Sequence, residues 1–410
     1  VAPGQRTEGR WLPIAIYAGL NATNQLLWLT FAPITTATAA HFGVSVTSVG
    51  WLAEIFPLVY VVGAVPAGRL LDRWFRPTLA AGAALNALGA LVRLSGHGFA
   101  SVLAGQLVVA VAQPFLLNAV TRICSDNLPA AERANGIAVG SAGIFLGMLG
   151  ALVLGAVLGG GGIEALLAIG AASATVAALA MLAMLRRPAP FEAQRSERVT
   201  GGNGLRVVWS DRYVRHLLGL VFLGFGVFVA LTTWLQALLA PAGVSGTDAG
   251  FLLVMMVVAG IAGSVLVPIW AGRNSRPITP LTVSLAATAL GCAALAVHPG
   301  VGTGRPAAVM IGFFLVADLP IILELGERRA GTAAATVTGL IWMAGNAGGL
   351  VVALGVQALV HSPAAGFLLM TGAALLALPV LVRFTRLQAS LVPVRLDTPG
   401  APPRRESGPH

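Results

Sequence analysis

Charge is what this sequence has least of. Asp, Glu, Lys and Arg make up 10% of its 410 residues, where a soluble domain carries roughly 25%. A water-facing surface over most of the chain is therefore excluded. Lysine is missing altogether, and all 25 basic residues are arginine. Cysteine is limited to Cys124 and Cys292, in separate apolar blocks, which provides neither a disulfide framework nor metal-ligand spacing. No H-E-x-x-H, Gly-x-x-x-x-Gly-Lys-Ser/Thr or G-x-S-x-G pattern occurs, so these enzyme signatures are absent. The chain reads as a non-enzyme with no cofactor or metal. Without a nucleotide site, any uphill work on a solute must draw on a gradient.

What is present is apolar. Hydrophobic residues make up 57% of the chain, in blocks of the roughly 20 residues that one bilayer-spanning helix needs. They predict an all-α membrane protein with twelve transmembrane helices, at 12–36, 47–71, 77–96, 99–123, 134–158, 163–185, 215–240, 248–271, 278–298, 305–325, 331–360 and 363–385. The first block is too long and too polar for a signal-peptide core and reads as a retained helix. Residues 1–11 form a polar N-terminal segment, 12–185 a first six-helix bundle and 186–214 a linker. Residues 215–386 form a second six-helix bundle and 387–410 a Pro- and Arg-rich disordered tail. Placing both termini inside leaves only Arg93 and Arg305 outside, with the other 23 of 25 arginines on or near the inner face. That asymmetry orients the chain in a bacterial cytoplasmic membrane. The arginines lie between apolar blocks, so the basicity reads as orientation and not as nucleic-acid binding.

The halves echo each other. Arg76-Pro77 and Arg276-Pro277 close corresponding turns. Glu132-Arg133 precedes a helix with Gly147 and Gly150, and Glu327-Arg328 precedes one with Gly345 and Gly348. Small residues at such positions let helices approach closely, and two-fold internal repeats place a binding site between the halves near the midplane. Between the second and third helices stands Gly68-Arg69-Leu70-Leu71-Asp72-Arg73-Trp74-Phe75-Arg76. It resembles the G-x-x-x-D-R-x-x-R signature of the major facilitator superfamily, with Phe75 where a glycine is usual. The resemblance implies two pseudo-symmetric six-helix bundles and a gating role for Gly68, Asp72, Arg73, Arg76 and Arg122, the last as partner of Asp72.

A narrower likeness rests on Asn24-Gln25-Leu26-Leu27-Trp28, Phe42-Gly43-Val44, Trp51-Leu52, Pro66-Ala67, Leu70-Leu71-Asp72, Ala112-Gln113 and Arg122-Ile123. Over residues 24–150 the chain resembles the feline leukaemia virus subgroup C receptor family, whose members move choline and related amines, with haem transport also claimed. Trp28 and Gln113 match that family's first-helix Trp and fourth-helix Gln. Its seventh-helix Tyr and eleventh-helix Gln have no match, Trp342 standing near the latter.

Polar side chains in apolar blocks mark candidate sites, since facing lipid is costly. Tyr17, Asn21, Asn24 and Trp28 share one helical face. So do Gln106 and Gln113, then Phe225, Phe228, Thr232 and Gln236, and finally Thr338, Trp342 and Asn346. From these, Asn24, Trp28, Gln113, Phe228, Gln236, Trp342 and Asn346 are the expected substrate contacts, with interhelical hydrogen bonding as the competing role. Asp318 and Glu54 are carboxyl groups inside apolar blocks. Burial disfavours the ionised form of such a group, which is the physical basis of proton coupling, and both are candidates for it. Arg93 lies at similar depth and offers a neutralising partner for Glu54.

The leading functional expectation is a monomeric secondary active transporter that moves a small organic molecule by alternating access, coupled to protons and working as an exporter. The alternatives are an uncoupled facilitator of choline or a related amine, and a membrane sensor that has lost transport.

Overall fold

A computed structural model describes residues 10–96, 98–191, 210–273, 278–330 and 334–391. Arg195, Arg198 and Arg206 of the linker, Arg276-Pro277, residues 1–9, the tail beyond Leu391 and the side chains of Glu327 and Arg328 lie outside the described residues. Fifteen α-helices are described: α1 Leu12–Leu29, α2 Thr35–Phe42, α3 Val46–Arg73, α4 Phe75–Ser95, α5 Phe99–Leu117, α6 Val120–Asn127, α7 Arg133–Leu158, α8 Ile163–Leu185, α9 Arg212–Leu239, α10 Gly246–Arg273, α11 Ile278–Val297, α12 Val301–Leu315, α13 Asp318–Ala330, α14 Ala334–Ala358 and α15 Pro363–Leu391. No strand occurs among the described residues.

Among the described residues, eleven spans are long and apolar enough to cross a membrane. The first helix, α1, falls short of that apolarity because Asn21, Thr23, Asn24 and Gln25 crowd its second half, and it is correspondingly buried. Three expected helices are each broken in two. The first breaks before Pro33, the fourth between α5 and α6 just after Pro114, and the tenth between α12 and α13 just before Pro320. Proline supplies no N–H and clashes with the carbonyl four residues back, which accounts for the breaks before Pro33 and Pro320; Pro114 itself lies inside α5, which ends at Leu117. The last helix runs to Leu391, past the expected end at 385, with Pro379 inside it.

The same four pairings recur in each half. In the first, α1 packs on α7, α4 on α5, α3 on α5 and α4 on α8; in the second, α9 packs on α14, α11 on α12, α10 on α12 and α11 on α15. Two glycine contacts explain how tight these are. A Cβ on Gly147 would run into the backbone of Ala22 in α1, and one on Gly348 into the backbone of Phe222 in α9. Backbone against backbone leaves no room for a side chain, so each half is a stiff body.

We call the helix ends nearest Leu185 and Arg212 the linker side and the opposite ends the far side. One apolar cluster on the far side draws on both halves, joining Leu27, Trp28, Phe56 and Leu152 to Trp234, Leu252 and Met256. On the linker side the cores separate. Ile14, Leu79 and Ile123 belong to one cluster of the first half, and Leu217, Ile321 and Phe384 to another of the second. The halves thus meet at the far side and part toward the linker.

Candidate functional site

A cavity lies between the halves, with about 790 Å³ of space that includes the open solvent at its mouth. Its walls include Gln25 and Trp28 of α1, Gln113 of α5, Phe145 of α7, Phe225 and Phe228 of α9, Asp318 of α13, and Trp342 and Asn346 of α14. The two broken helices place its two most polar groups. Gln113 directly precedes Pro114, and Asp318 stands two residues before Pro320. Interrupted helices at corresponding positions of two repeats are the pattern that puts polar groups at a midplane site.

Asp318 is the single ionisable residue in the lining among the described residues. One carboxylate oxygen accepts from the Ser284 hydroxyl at 2.7 Å; the other, Oδ1, has no hydrogen-bond partner and is buried. Gln113 Oε1 is likewise buried and without a partner. Around them the walls are aromatic. Phe225 and Phe228 sit with ring centroids 5.7 Å apart, and the Trp342 ring meets Phe225 edge-on at 6.1 Å. Trp28 stacks on Phe56 at 6.1 Å and donates its indole N–H to the carbonyl of Ala53 at 3.0 Å. Asn346 donates to the carbonyl of Trp342 at 2.9 Å. The lining therefore offers one carboxyl group, acceptor oxygens and π faces, and no basic side chain among the described residues.

Of the seven expected substrate contacts, five line this cavity: Trp28, Gln113, Phe228, Trp342 and Asn346. Asn24 does not. Its amide donates to Asn86 Oδ1 at 3.0 Å and toward the carbonyl of Val109 at 3.4 Å, so it fastens α1 to α4 and α5. Gln25, one residue on and about 100° round the helix, faces the void instead. Its signal in the sequence was the tandem Asn24-Gln25, in which either amide was free to face the seam.

Gln236 is also elsewhere, at the far side. It accepts from the Thr36 N–H at 2.9 Å and donates to Thr36 Oγ1 at 2.8 Å, joining α9 to α2 across the halves. Close by, Trp234 donates its N–H to Glu54 Oε1 at 3.1 Å, with its ring packed against Gly50 of α3. Nothing in the apolar run around Trp234 announced this role. Replacing Gln236 by Ala removes two hydrogen bonds, each contributing about 0.5–1.5 kcal/mol. The far-side seal is expected to loosen by about 5- to 150-fold, read as faster labelling of Ala32→Cys by an impermeant maleimide.

The expected Arg122–Asp72 ion pair is corrected, and the Arg93 partner offered for Glu54 is not taken up. Glu54 takes Trp234, not Arg93, as its partner; Arg93 donates to the carbonyl of Leu27 at 3.1 Å and lies over the Phe31 ring. Arg122 does reach Asp72, but at its backbone carbonyl, 3.0 Å away. Its carboxylate contact is Asp126, one turn along α6, at 3.8 Å. The Asp72 side chain is exposed in the last turn of α3, while the Arg122 guanidinium lies over the Phe75 ring. Gly68 has open space around it, and Arg73 lies over the Trp74 ring at 4.6 Å.

The Major Facilitator Superfamily model matches residues 17–353. Solute carrier family 49 member A3 of Danio rerio is 29% identical over 378 residues, covering 86% of this chain and 80% of that protein. The similarity thus extends well past the first half. The human choline/ethanolamine transporter FLVCR2 is 32% identical over 143 residues, 34% of this chain and 27% of that one. Among solved structures, a bacterial homologue of the human lysosomal transporter Spinster, inward-facing and unoccupied, superposes with a TM-score of 0.71 at 15% identity. It covers 93% of this chain and 96% of that one. A POT family transporter in complex with 5-aminolevulinic acid gives 0.71 at 11% identity, covering 94% and 98%. At those identities the structures share the fold alone.

Proposed function

Because the chain belongs to the Major Facilitator Superfamily, we propose that it carries a small organic cation across its membrane by alternating access, in exchange for protons. The observation that supports this reading is Asp318, the only ionisable side chain among the described residues of a cavity otherwise walled by aliphatic, aromatic and amide side chains. A cation entering the cavity sets its charge against the carboxylate and its apolar body against Phe225, Phe228 and Trp342. A proton neutralises the same carboxylate. The two compete, so the loading of one drives off the other, and stiff halves rocking about the seam present the site to each side in turn. Export is the net direction, with the linker side cytoplasmic, in a bacterial cytoplasmic membrane and as a monomer; the arginine asymmetry supports that orientation.

Purified protein in proteoliposomes is expected to move organic amines uphill when an opposing proton gradient is imposed. Equal rates with and without the gradient would overturn the exchange and favour the second reading, an uncoupled facilitator of choline or a related amine. Trp28 and Gln113 on one cavity wall support that reading, as do relatives named for choline and ethanolamine. Both readings expect Trp342→Ala to weaken binding of the amine. A cation over an aromatic face gains about 0.5–2 kcal/mol, so the dissociation constant should rise roughly 2- to 30-fold in a calorimetric titration. Solute turnover of any kind disposes of a sensor without transport.

A further inference from the structure

We propose that Glu54 exchanges partners as the halves rock: Trp234 of the second half when the far side is closed, Arg93 of its own half when it is open. The proposal rests on the alternating-access reading and gives a positioning role to residues outside the cavity.

Arg93 is 1% exposed. Only its Nη1 is bonded, to the carbonyl of Leu27, while Nε and Nη2 are buried and have no partner. The Phe31 ring, 5.0 Å from the guanidinium carbon, supplies a π face but no counter-charge. A guanidinium held at membrane depth in this way is costly unless a carboxylate meets it in some state. Glu54 has the matching deficit. It is 0% exposed, one oxygen accepts from the Trp234 N–H, and Oε2 has no partner.

The two hang from one patch of backbone in the first half. Gln106 donates to the carbonyls of Leu27 and Leu52 at 3.1 and 2.8 Å. Arg93 shares the Leu27 carbonyl, Leu52 is two residues from Glu54, and Trp28 of the cavity wall donates to the Ala53 carbonyl between them. Rigid-body rocking carries Trp234 away with the second half and leaves Arg93 where it is. Trp234 also vacates the space over Gly50, one helical turn from Glu54, so the freed carboxylate has room to turn. Each end state then satisfies Glu54 in one way, and an element with two discrete arrangements is what a two-state carrier needs.

The experiment reads the far-side distance between spin labels at Ala40→Cys and Thr247→Cys. Both positions are exposed and lie in opposite halves, in a Cys124→Ala, Cys292→Ala background. Glu54→Gln keeps an acceptor for the Trp234 N–H but carries no charge for Arg93, so the short-distance population should grow by about fivefold or more. Arg93→Gln should move it the same way. Trp234→Phe keeps the ring on Gly50 but loses the N–H, so the long-distance population should grow instead. A shift of the same sign in Glu54→Gln and Trp234→Phe overturns the exchange, as does Arg93→Gln failing to follow Glu54→Gln. A single short distance in the parent and every variant overturns alternating access itself.

Discussion

Asp318→Asn is expected to abolish proton-driven flux and to weaken binding of an organic cation by about 30-fold or more. Truncating one side of a buried, hydrogen-bonded charge pair costs about 2–5 kcal/mol, and each 1.4 kcal/mol is tenfold. The effect should be confined to charge. The Asn oxygen can still accept from Ser284, which now bonds the carboxylate at 2.7 Å, so helices α11 and α13 stay joined. With no other ionisable group in the cavity lining among the described residues, none of these takes over the counter-charge. The check is paired: flux in proteoliposomes under an imposed pH gradient, and thermal stability of the same preparation in detergent. Unchanged flux with unchanged stability would remove Asp318 from the mechanism. Lost flux with a collapsed melting temperature would assign it to the fold instead.

Gly348→Val should cost the fold more than any change in the cavity. A Cβ at Gly348 meets the carbonyl and Cα of Phe222 in α9, and main-chain atoms in a helix cannot turn aside as a side chain can. Overpacking of this kind costs about 1–3 kcal/mol, and occasionally more. It also separates α9 from α14, which carry Phe225, Phe228, Trp342 and Asn346 of the cavity lining. The expected result is a melting temperature lower by several degrees, or loss of monodisperse protein on size-exclusion chromatography. Gly372→Val is the control. That glycine in α15 has nothing within 4 Å of the position its Cβ would take, and it should tolerate the change. Equal losses in both variants would mean that helix propensity, not the close approach, sets the cost.

The helices were legible because each is a long apolar run ended by polar or proline residues. The expected starts and ends at 163–185 and 278–298 fall within one residue of α8 and α11. The breaks at Pro33, Pro114 and Pro320 were less so. The prolines are visible in the sequence, but Pro57 and Pro66 lie inside an unbroken α3, so proline alone does not say where a helix divides. The cavity was partly legible for the same kind of reason. Trp28, Gln113, Phe228, Trp342 and Asn346 stood out as costly side chains in apolar runs. Asn24 and Gln236 stood out equally and turned out to bond within the protein, because helical phase names a face without naming what that face meets.

From the sequence alone came the membrane, the two six-helix halves and a carboxyl group at residue 318. Those follow from composition and spacing along the chain, which need no partner to be read. Partner choice was decided only in three dimensions. Glu54 meets Trp234, 180 residues away, and Arg122 meets a carbonyl where a carboxylate was expected. A hydrogen bond depends on angles and on which neighbour arrives first across a seam, and neither is written in the local order of residues.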